Sequence, residues 1–118
     1  MKPKITFFLI FLLLLFIVFR ELFFNFSSAL IDWRDYALMV WIMFQNITKI
    51  TSLNFQNYFD TTSFYPNHYS LLFSDLLLPQ SIIALPFYLA TKNLILSFNI
   101  VFISTYILNY IALFLFWK

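Results

Sequence analysis

Residues 93–117 read NLILSFNIVFISTYILNYIALFLFW and contain no charged side chain. At a rise of about 1.5 Å per residue, this stretch would form a helix about 37 Å long. The hydrocarbon core of a bilayer is about 30 Å thick, and a helix needs roughly 20 apolar residues to cross it. The stretch therefore predicts a transmembrane helix over residues 94–117.

Two further apolar stretches lie upstream. Residues 5–24 are interrupted only by Arg20 and Glu21, whose long side chains can reach water at the membrane interface and neutralise each other. Residues 76–91 are uncharged and contain two prolines, which membrane helices tolerate. The sequence thus predicts an all-α membrane protein: one membrane domain over residues 1–118, with about three transmembrane helices.

The first stretch has an alternative interpretation. Lys2 and Lys4 before an apolar run are also typical of a secretory signal peptide. The first small-residue stretch that could serve as a cleavage site, at residues 27–29, lies beyond Arg20 and Glu21. We therefore favour an uncleaved membrane anchor.

The composition supports lipid as part of the solvent. Of the 118 residues, 63% are hydrophobic and 10% are charged, whereas soluble domains average about 25% charged residues. The chain contains no glycine, which excludes glycine-rich phosphate loops, and no cysteine, which excludes disulfides and thiol catalysis. A net charge of +2 without basic clusters argues against nucleic acid as a partner.

The flanking charges predict an orientation. Lys2 and Lys4 favour a cytoplasmic N-terminus under the positive-inside rule. Three crossings then place residues 25–75 outside the cell membrane and Lys92 inside. All five acidic residues and the one histidine lie between residues 20 and 75, so polar chemistry is expected in the external segment.

The external segment contains a short apolar run. Residues 36–50 form an apolar run followed by polar residues, and at about 22 Å they are too short to cross a bilayer comfortably. We expect a helix that lies in the interface or packs on the spans. Asp32 is its expected N-cap, and Asp35 falls in the first turn, where the helix dipole favours an anion.

The same two carboxylates permit a functional interpretation. Asp32 and Asp35 are three positions apart and so project from one side of a helix. Together they could hold Mg²⁺ or Mn²⁺, or one of them could act as a general base. Arg34 lies between them and would either neutralise one carboxylate or bind a phosphate.

Other candidates follow in the same segment. His68 is either solvent-facing or a substrate-binding residue, since it lacks a second histidine for a metal site. Asp75 follows Ser74 and is expected either to cap the second span or to bind a ligand. Asn25-Phe26-Ser27 and Asn46-Ile47-Thr48 match the N-glycosylation acceptor pattern, which also arises often by chance.

Short motifs in a fixed order suggest a family. They are Asp32-Trp33-Arg34-Asp35-Tyr36, Asn57-Tyr58-Phe59-Asp60, Phe64-Tyr65-Pro66 and Phe73-Ser74-Asp75-Leu-Leu-Leu-Pro-Gln80, followed by a proline-containing span and a long one. In this order and spacing, residues 5–115 resemble the N-terminal part of bacterial multi-spanning membrane glycosyltransferases of the type-C superfamily.

The resemblance implies a function. Such enzymes have many spans and a large first external loop, and they transfer sugar from a polyprenyl-phosphate donor on the outer face. An aspartate of that loop is their catalytic or metal-binding acid, a place that Asp32 and Asp35 occupy here, with Asp35 before Tyr36 preferred. Ile31 and Arg34 replace both glycines of the Gly-Asp-x-Gly-Asp-Tyr pattern, and Asp75 matches a second acidic position.

The resemblance also implies incompleteness. Three spans do not enclose a polyprenyl-phosphate site, so we expect the chain to be the N-terminal part of a larger domain and inactive alone. Its expected partners are the lipid bilayer, a polyprenyl-phosphate sugar, and further membrane helices from a partner or a missing C-terminal part. The alternative is a small non-enzymatic membrane protein that packs against a larger membrane partner.

Overall fold

The computed structural model describes residues 2–61 and 66–116, and these residues form helices and turns but no strand. Residues 64–65 of the third motif, and Lys118, lie outside this described part. The prediction of an all-α chain is confirmed. The helices are α1 (Lys2–Val18), α2 (Arg20–Phe24), α3 (Trp33–Thr51), α4 (Leu78–Thr91) and α5 (Leu94–Phe116), with a 3₁₀ turn at Ser70–Phe73.

The first predicted span is divided at Phe19, which separates α1 from α2. Backbone hydrogen bonds nevertheless continue across the break, because Phe19 N–H donates to Leu15 O (3.1 Å) and Phe23 N–H donates to Phe19 O (3.0 Å). The two helices therefore follow one another closely, with Arg20 and Glu21 exposed in the first turn of α2.

Helix α3 is the helix expected over residues 36–50, and it extends a few residues further at its N-terminal end. Its buried side chains include Val40, Met43 and Ile47, which recur at the helical spacing of three and four. Part of the apolar run thus forms the inner face of a packed helix, while Leu38 and Phe44 are exposed.

Helix α4 begins later than predicted. Its N-cap is Leu77, in the left-handed region at φ 48°, so the prediction that Ser74 and Asp75 cap this helix is wrong. Pro79 occupies the first turn, where a missing N–H has no helical partner to lose, and it favours a start at this point. Ser81 Oγ donates to Leu77 O (2.7 Å) and reinforces the first turn.

Helix α5 follows α4 after a two-residue turn. Lys92 ends α4 in the left-handed region at φ 55° and donates its N–H to Tyr88 O. Asn93 then caps α5, because its Oδ1 accepts the N–H of Leu96 (2.9 Å) and its carbonyl accepts the Ser97 hydroxyl (2.8 Å). The short turn makes α4 and α5 antiparallel neighbours.

Two apolar clusters hold the helices together. One contains Met43, Ile47, Ala84 and Val101 and joins α3, α4 and α5. The other joins α1 and α2 to α5 through Leu15, Leu22 and Ile103. Aromatic rings recur at every fourth position along α5 and form a row that winds slowly around the helix. This α5 aromatic column consists of Phe98, Phe102, Tyr106, Tyr110 and Phe114.

The column packs against α1 in an antiparallel sense. Phe11 stacks on Tyr110 near the far end of α5 (4.3 Å between ring centroids), whereas Phe19 contacts Phe102 near its beginning (5.6 Å). Asn93 Nδ2 donates to the carbonyl of Ser27, which follows α2 (2.9 Å).

This contact bears on the predicted topology. With spans at 5–24, 76–91 and 94–117, Ser27 and Asn93 would lie on opposite faces of a bilayer about 30 Å thick. A separation of 2.9 Å is incompatible with that arrangement. The structure therefore does not support residues 25–75 outside together with Lys92 inside.

Helix lengths also differ from the prediction of three spans. Among the described residues, α5 is the one helix long and apolar enough to cross a membrane. The apolar part of α1 (Ile5–Val18) and helix α4 are shorter. At 14 residues, α4 is about 21 Å long, less than the thickness of the hydrocarbon core.

Candidate functional site

The start of α3 carries the two aspartates that the sequence singles out. Asp32 is the N-cap, with extended backbone (φ −136°, ψ 122°), and its Oδ1 accepts the N–H of Arg34 (2.9 Å). Asp35 lies in the first turn, as predicted, and both side chains are exposed. Because one oxygen of Asp32 accepts a backbone hydrogen bond, Asp35 is the one of these two aspartates with both carboxylate oxygens free of described partners.

Arg34 does not neutralise either acid in this structure. Its side chain is exposed and forms no ion pair with any residue in 2–61 or 66–116, although its backbone N–H is bound by Asp32. The guanidinium is therefore available to an anion from outside the described chain.

A groove of about 440 Å³ lies between α3, the start of α4, and α5. Tyr36, Met39 and Met43 of α3 form one wall, and they recur at the spacing of one helix face. The other walls come from Leu77, Gln80, Phe98, Val101, Phe102, Thr105, Tyr106 and Asn109.

The two aspartates lie at the start of α3, before the residues that line this groove. Asp32 is four positions before Tyr36, and Asp35 is four positions before Met39, so each precedes a groove-lining residue by about one helical turn. The groove itself is lined by no charged side chain. A mostly apolar groove with acids beyond one end matches an amphiphile that has an apolar tail and a polar head.

The two aspartates are a small ligand set for a metal ion. No group of three or more His, Cys, Asp or Glu side chains comes together in residues 2–61 and 66–116. Mg²⁺ is often bound by one or two carboxylates that are completed by water and substrate phosphate. The pair therefore fits a cation that arrives with a phosphate better than a permanently bound ion.

His68 lies in a different cluster from the α3 aspartates. Its side chain is 82% exposed, and its Nδ1 lies 3.3 Å from Asp60 Oδ2. Asp60 Oδ1 also accepts the N–H of Tyr69 (2.6 Å). These hydrogen bonds, first from the Tyr69 backbone and then from His68, hold the pKa of Asp60 below its usual value.

Asp75 is exposed and forms no hydrogen bond with another described residue. It lies between the 3₁₀ turn and α4, while the neighbouring Ser74 hydroxyl donates to Leu71 O (3.5 Å). No contact joins Asp75 or His68 to the acids at the start of α3 within the described chain. The structure therefore places the predicted site residues in three separate locations.

A buried polar cluster around Asn46 was missed by the sequence analysis. Asn46 Nδ2 donates to Leu76 O (2.6 Å) and Ser81 Oγ (3.0 Å), and Asn46 Oδ1 accepts the Tyr58 hydroxyl (2.7 Å). The side chain is fully buried, so this amide cannot accept a glycan in the folded chain. The available signal was a lone amide on the apolar face of α3, three positions after Met43.

Lys49, one turn later on α3, holds the adjoining loop. Its Nζ donates to Asp60 O (2.8 Å), Asn57 O (3.1 Å) and Tyr58 O. These bonds fold residues 57–60 back onto the end of α3. The side chain therefore has a positioning role in the loop that carries Asp60.

Comparisons with protein-family models, curated proteins and solved structures find no match to this chain.

Proposed function

We propose that this chain is an integral membrane protein whose α3 aspartates and adjoining groove form part of a site for a polyprenyl-phosphate sugar. The membrane location is supported by α5, since only 17% of its most apolar 18-residue window is buried. The core helix of a soluble domain would be mostly covered by protein. Large apolar side chains of α1, among them Leu9 and Leu13 (both 59%), are likewise exposed.

One observation supports the substrate class above all others. Asp32 and Asp35 precede, by one helical turn each, the residues of α3 that line an apolar groove. A polyprenyl tail would lie along the aromatic and aliphatic walls. Its phosphate and sugar would lie beside the two carboxylates and Arg34, whose charge complements a phosphate.

The chemistry follows from the exposed carboxylate. Asp35 would accept the proton of an acceptor hydroxyl while the oxygen of that hydroxyl attacks the anomeric carbon of the donor sugar. The bond from that carbon to the phosphate oxygen breaks, and polyprenyl phosphate leaves with inversion of configuration. In the alternative role, Asp32 and Asp35 would together hold Mg²⁺ or Mn²⁺, which would neutralise phosphate charge.

The proposed site needs further membrane helices to enclose it. Tyr106 and Phe87 are partly exposed on the helices around the groove, and Gln80 and Asn109 on its walls are exposed as well. We propose that helices from the same polypeptide or from a partner cover this surface. The described part of the chain would then supply the acids and not the whole enzyme.

A binding experiment tests the substrate class. The chain would be placed in lipid nanodiscs and titrated with undecaprenyl phosphate in the presence of Mg²⁺, with binding followed by native mass spectrometry. The double variant Asp32→Asn/Asp35→Asn should bind about tenfold more weakly, or about 1.4 kcal/mol. Glu21→Gln is the matched control, because it removes an exposed acid from α2 and should leave binding unchanged.

A transfer experiment tests the chemistry. Membranes that contain the full reading frame would be assayed for sugar transfer from polyprenyl-phosphate donors, with and without Asp35→Asn. Loss of transfer with retained donor binding supports a catalytic Asp35. Undiminished transfer in the double aspartate variant would reject the proposed role.

A second candidate function is supported by the amides in the groove. The side-chain amides of Gln80 in α4 and Asn109 in α5 are exposed and form no hydrogen bond with a described residue, although both helices are apolar. Such amides bridge to neighbouring helices in membranes. If the chain is a non-enzymatic partner protein, Asn109→Leu should abolish its complex with a larger membrane protein, and Asp35→Asn should leave that complex intact.

A further inference from the structure

Side-chain amides of α5 bind the backbone that connects α2 to α3. Asn99 Nδ2 donates to Phe26 O (2.8 Å) and Ala29 O (2.9 Å), and this amide is almost fully buried. Asn93 Nδ2 donates to Ser27 O (2.9 Å). Three hydrogen bonds therefore join the end of α2 to the beginning of α5, about 70 residues further along the chain.

We infer that residues 28–92 cross the membrane an even number of times, so that the α2–α3 connection and the α4–α5 turn lie on the same face. A single bilayer crossing separates its two ends by about 30 Å. Ser27 and Asn93 are in contact, and an odd number of crossings between them would separate them. The inference rests on the proposed membrane location and is independent of the proposed substrate.

The packing of α1 on α5 leads to the same arrangement. Ring contacts pair Phe8 and Phe11 with Tyr110, and pair Phe19 with Phe102. Position along α1 thus increases as position along α5 decreases, which makes the two helices antiparallel over this length. The beginning of α1 and the end of α5 consequently lie on one face, opposite the face that Ser27 and Asn93 share.

The short length of α4 agrees with an even number. A helix of about 21 Å is too short to span the hydrocarbon core by itself. Helix α4 ends at Thr91, two residues before Asn93, which is hydrogen-bonded to the α2–α3 connection. Helices α3 and α4 are therefore a unit that crosses as a pair or not at all. In either case Asp32 and Lys92 face the same compartment.

Single-cysteine labelling tests this inference without background, because the chain contains no cysteine. Ser27→Cys and Thr91→Cys probe the two connections, and Phe116→Cys probes the far end of α5; all three side chains are exposed. Each full-length variant would be treated with a membrane-impermeant maleimide in right-side-out and in inverted vesicles. Extraction with alkaline carbonate would first establish that the chain is integrated.

The expected result is one vesicle orientation that labels both Ser27→Cys and Thr91→Cys, and the other orientation that labels Phe116→Cys. Labelling of Ser27→Cys and Thr91→Cys from opposite orientations would overturn the inference and leave the membrane location intact. Release of the chain by carbonate would instead overturn the proposed membrane location.

A proximity measurement provides an independent readout. The double variant Ser27→Cys/Thr91→Cys should be linked within one chain by a short bismaleimide, as detected by mass spectrometry of the joined peptides. Ser28→Cys with Ala90→Cys serves as a second pair if the first impairs folding, since both positions are exposed. Failure of both pairs to link in an integrated, folded chain would contradict the structure on which the inference depends.

Discussion

The amide of Asn46 in α3 lies 3.0 Å from the hydroxyl of Ser81 in α4, and both side chains are completely buried. Asn46 Oδ1 also accepts a hydrogen bond from the Tyr58 hydroxyl, and Asn46 Nδ2 donates to Leu76 O. Asn46 therefore fixes the start of α4 and the preceding loop to α3. Since each of these polar groups is removed from solvent, the cluster is sensitive to the loss of any member.

Replacement of Asn46 by alanine should destabilise the fold by about 3 kcal/mol, because it leaves Leu76 O and the Tyr58 hydroxyl without this partner. The free energy of unfolding would be measured in detergent by circular dichroism during denaturant titration. Asn54→Ala is the control, since Asn54 is exposed and outside the cluster, and should change stability by less than about 0.5 kcal/mol. Equal effects of the two substitutions would contradict a structural role for Asn46.

The hydrogen bonds that stabilise the loop around Asp60 should be lost at low pH. Hydrogen bonds from Tyr69 N–H and His68 lower the pKa of Asp60, so the folded state favours the carboxylate more than the unfolded state does. The stabilisation is therefore present above the unfolded pKa of about 3.9 and is lost as the pH falls through the lower, folded pKa.

Hydrogen exchange at the Tyr69 amide measures this effect locally. After correction for intrinsic exchange, its protection should fall as the pH decreases below about 4. Asp60→Asn should remove that pH dependence, whereas Asp75→Asn, which alters an acid without a described hydrogen-bond partner, should retain it. Protection that is independent of pH in the unmodified chain would contradict the assignment.

Sequence predicted the helices better than their arrangement. The apolar run of α3, the Asp32 cap and the long α5 all follow from local patterns, in which side-chain spacing and capping chemistry determine the outcome. The contact of Asn93 with Ser27 depends on how distant helices pack, and no local pattern reports it. For this reason the helices were largely predicted, whereas the three-crossing topology finds no support in the packing.

The candidate site shows the same division. Asp32 and Asp35 were placed at the start of α3 by their spacing, and the structure agrees. The partnership of His68 with Asp60 depends on a turn over residues 66–69, and the start of α4 at Leu78 depends on a left-handed Leu77. In a chain without glycine, such left-handed positions carry no sequence marker.

The left-handed backbone of Leu53 predicts that a glycine at this position would stabilise the chain. Leu53 follows the end of α3 at φ 52°, where a Cβ atom costs about 1–2 kcal/mol, and its side chain is 77% exposed. Leu53→Gly should therefore raise the free energy of unfolding by about 1 kcal/mol. Asn54→Gly is the matched control at a neighbouring position without positive φ, and it should lower stability. Stabilisation by both, or by neither, would count against a strained Leu53.

Asp32 should have a capping role that can be separated from any role in binding. Asp32→Ala should cost about 1 kcal/mol of stability because Arg34 N–H loses its acceptor, whereas Asp32→Ser keeps an acceptor and should cost a few tenths. Thermal unfolding in detergent measures both. If Asp32→Ser folds normally but binds undecaprenyl phosphate weakly in Mg²⁺, the carboxylate serves the ligand as well as the helix. Normal binding by that variant would leave Asp32 with the capping role alone.

The α5 aromatic column should hold α1 and α3 to α5 chiefly through Phe102. Its ring contacts those of Phe19 and Tyr36, at 5.6 Å in each case, and that of Tyr106 at 5.2 Å. Apolar burial drives helix association weakly in lipid, so specific ring packing carries more of the energy there. Each favourable aromatic pair contributes about 0.5–1.5 kcal/mol beyond area burial.

Phe102→Leu keeps the apolar character and removes all of these ring pairs. It should therefore destabilise the chain by about 2–4 kcal/mol in SDS-induced unfolding from mixed micelles. Phe116→Leu makes the same chemical change at a ring that is 90% exposed, and its effect should be below about 0.5 kcal/mol. If the two variants unfold alike, aromatic geometry is not what joins α1 and α3 to α5, and general apolar contact with lipid and protein would account for the packing instead.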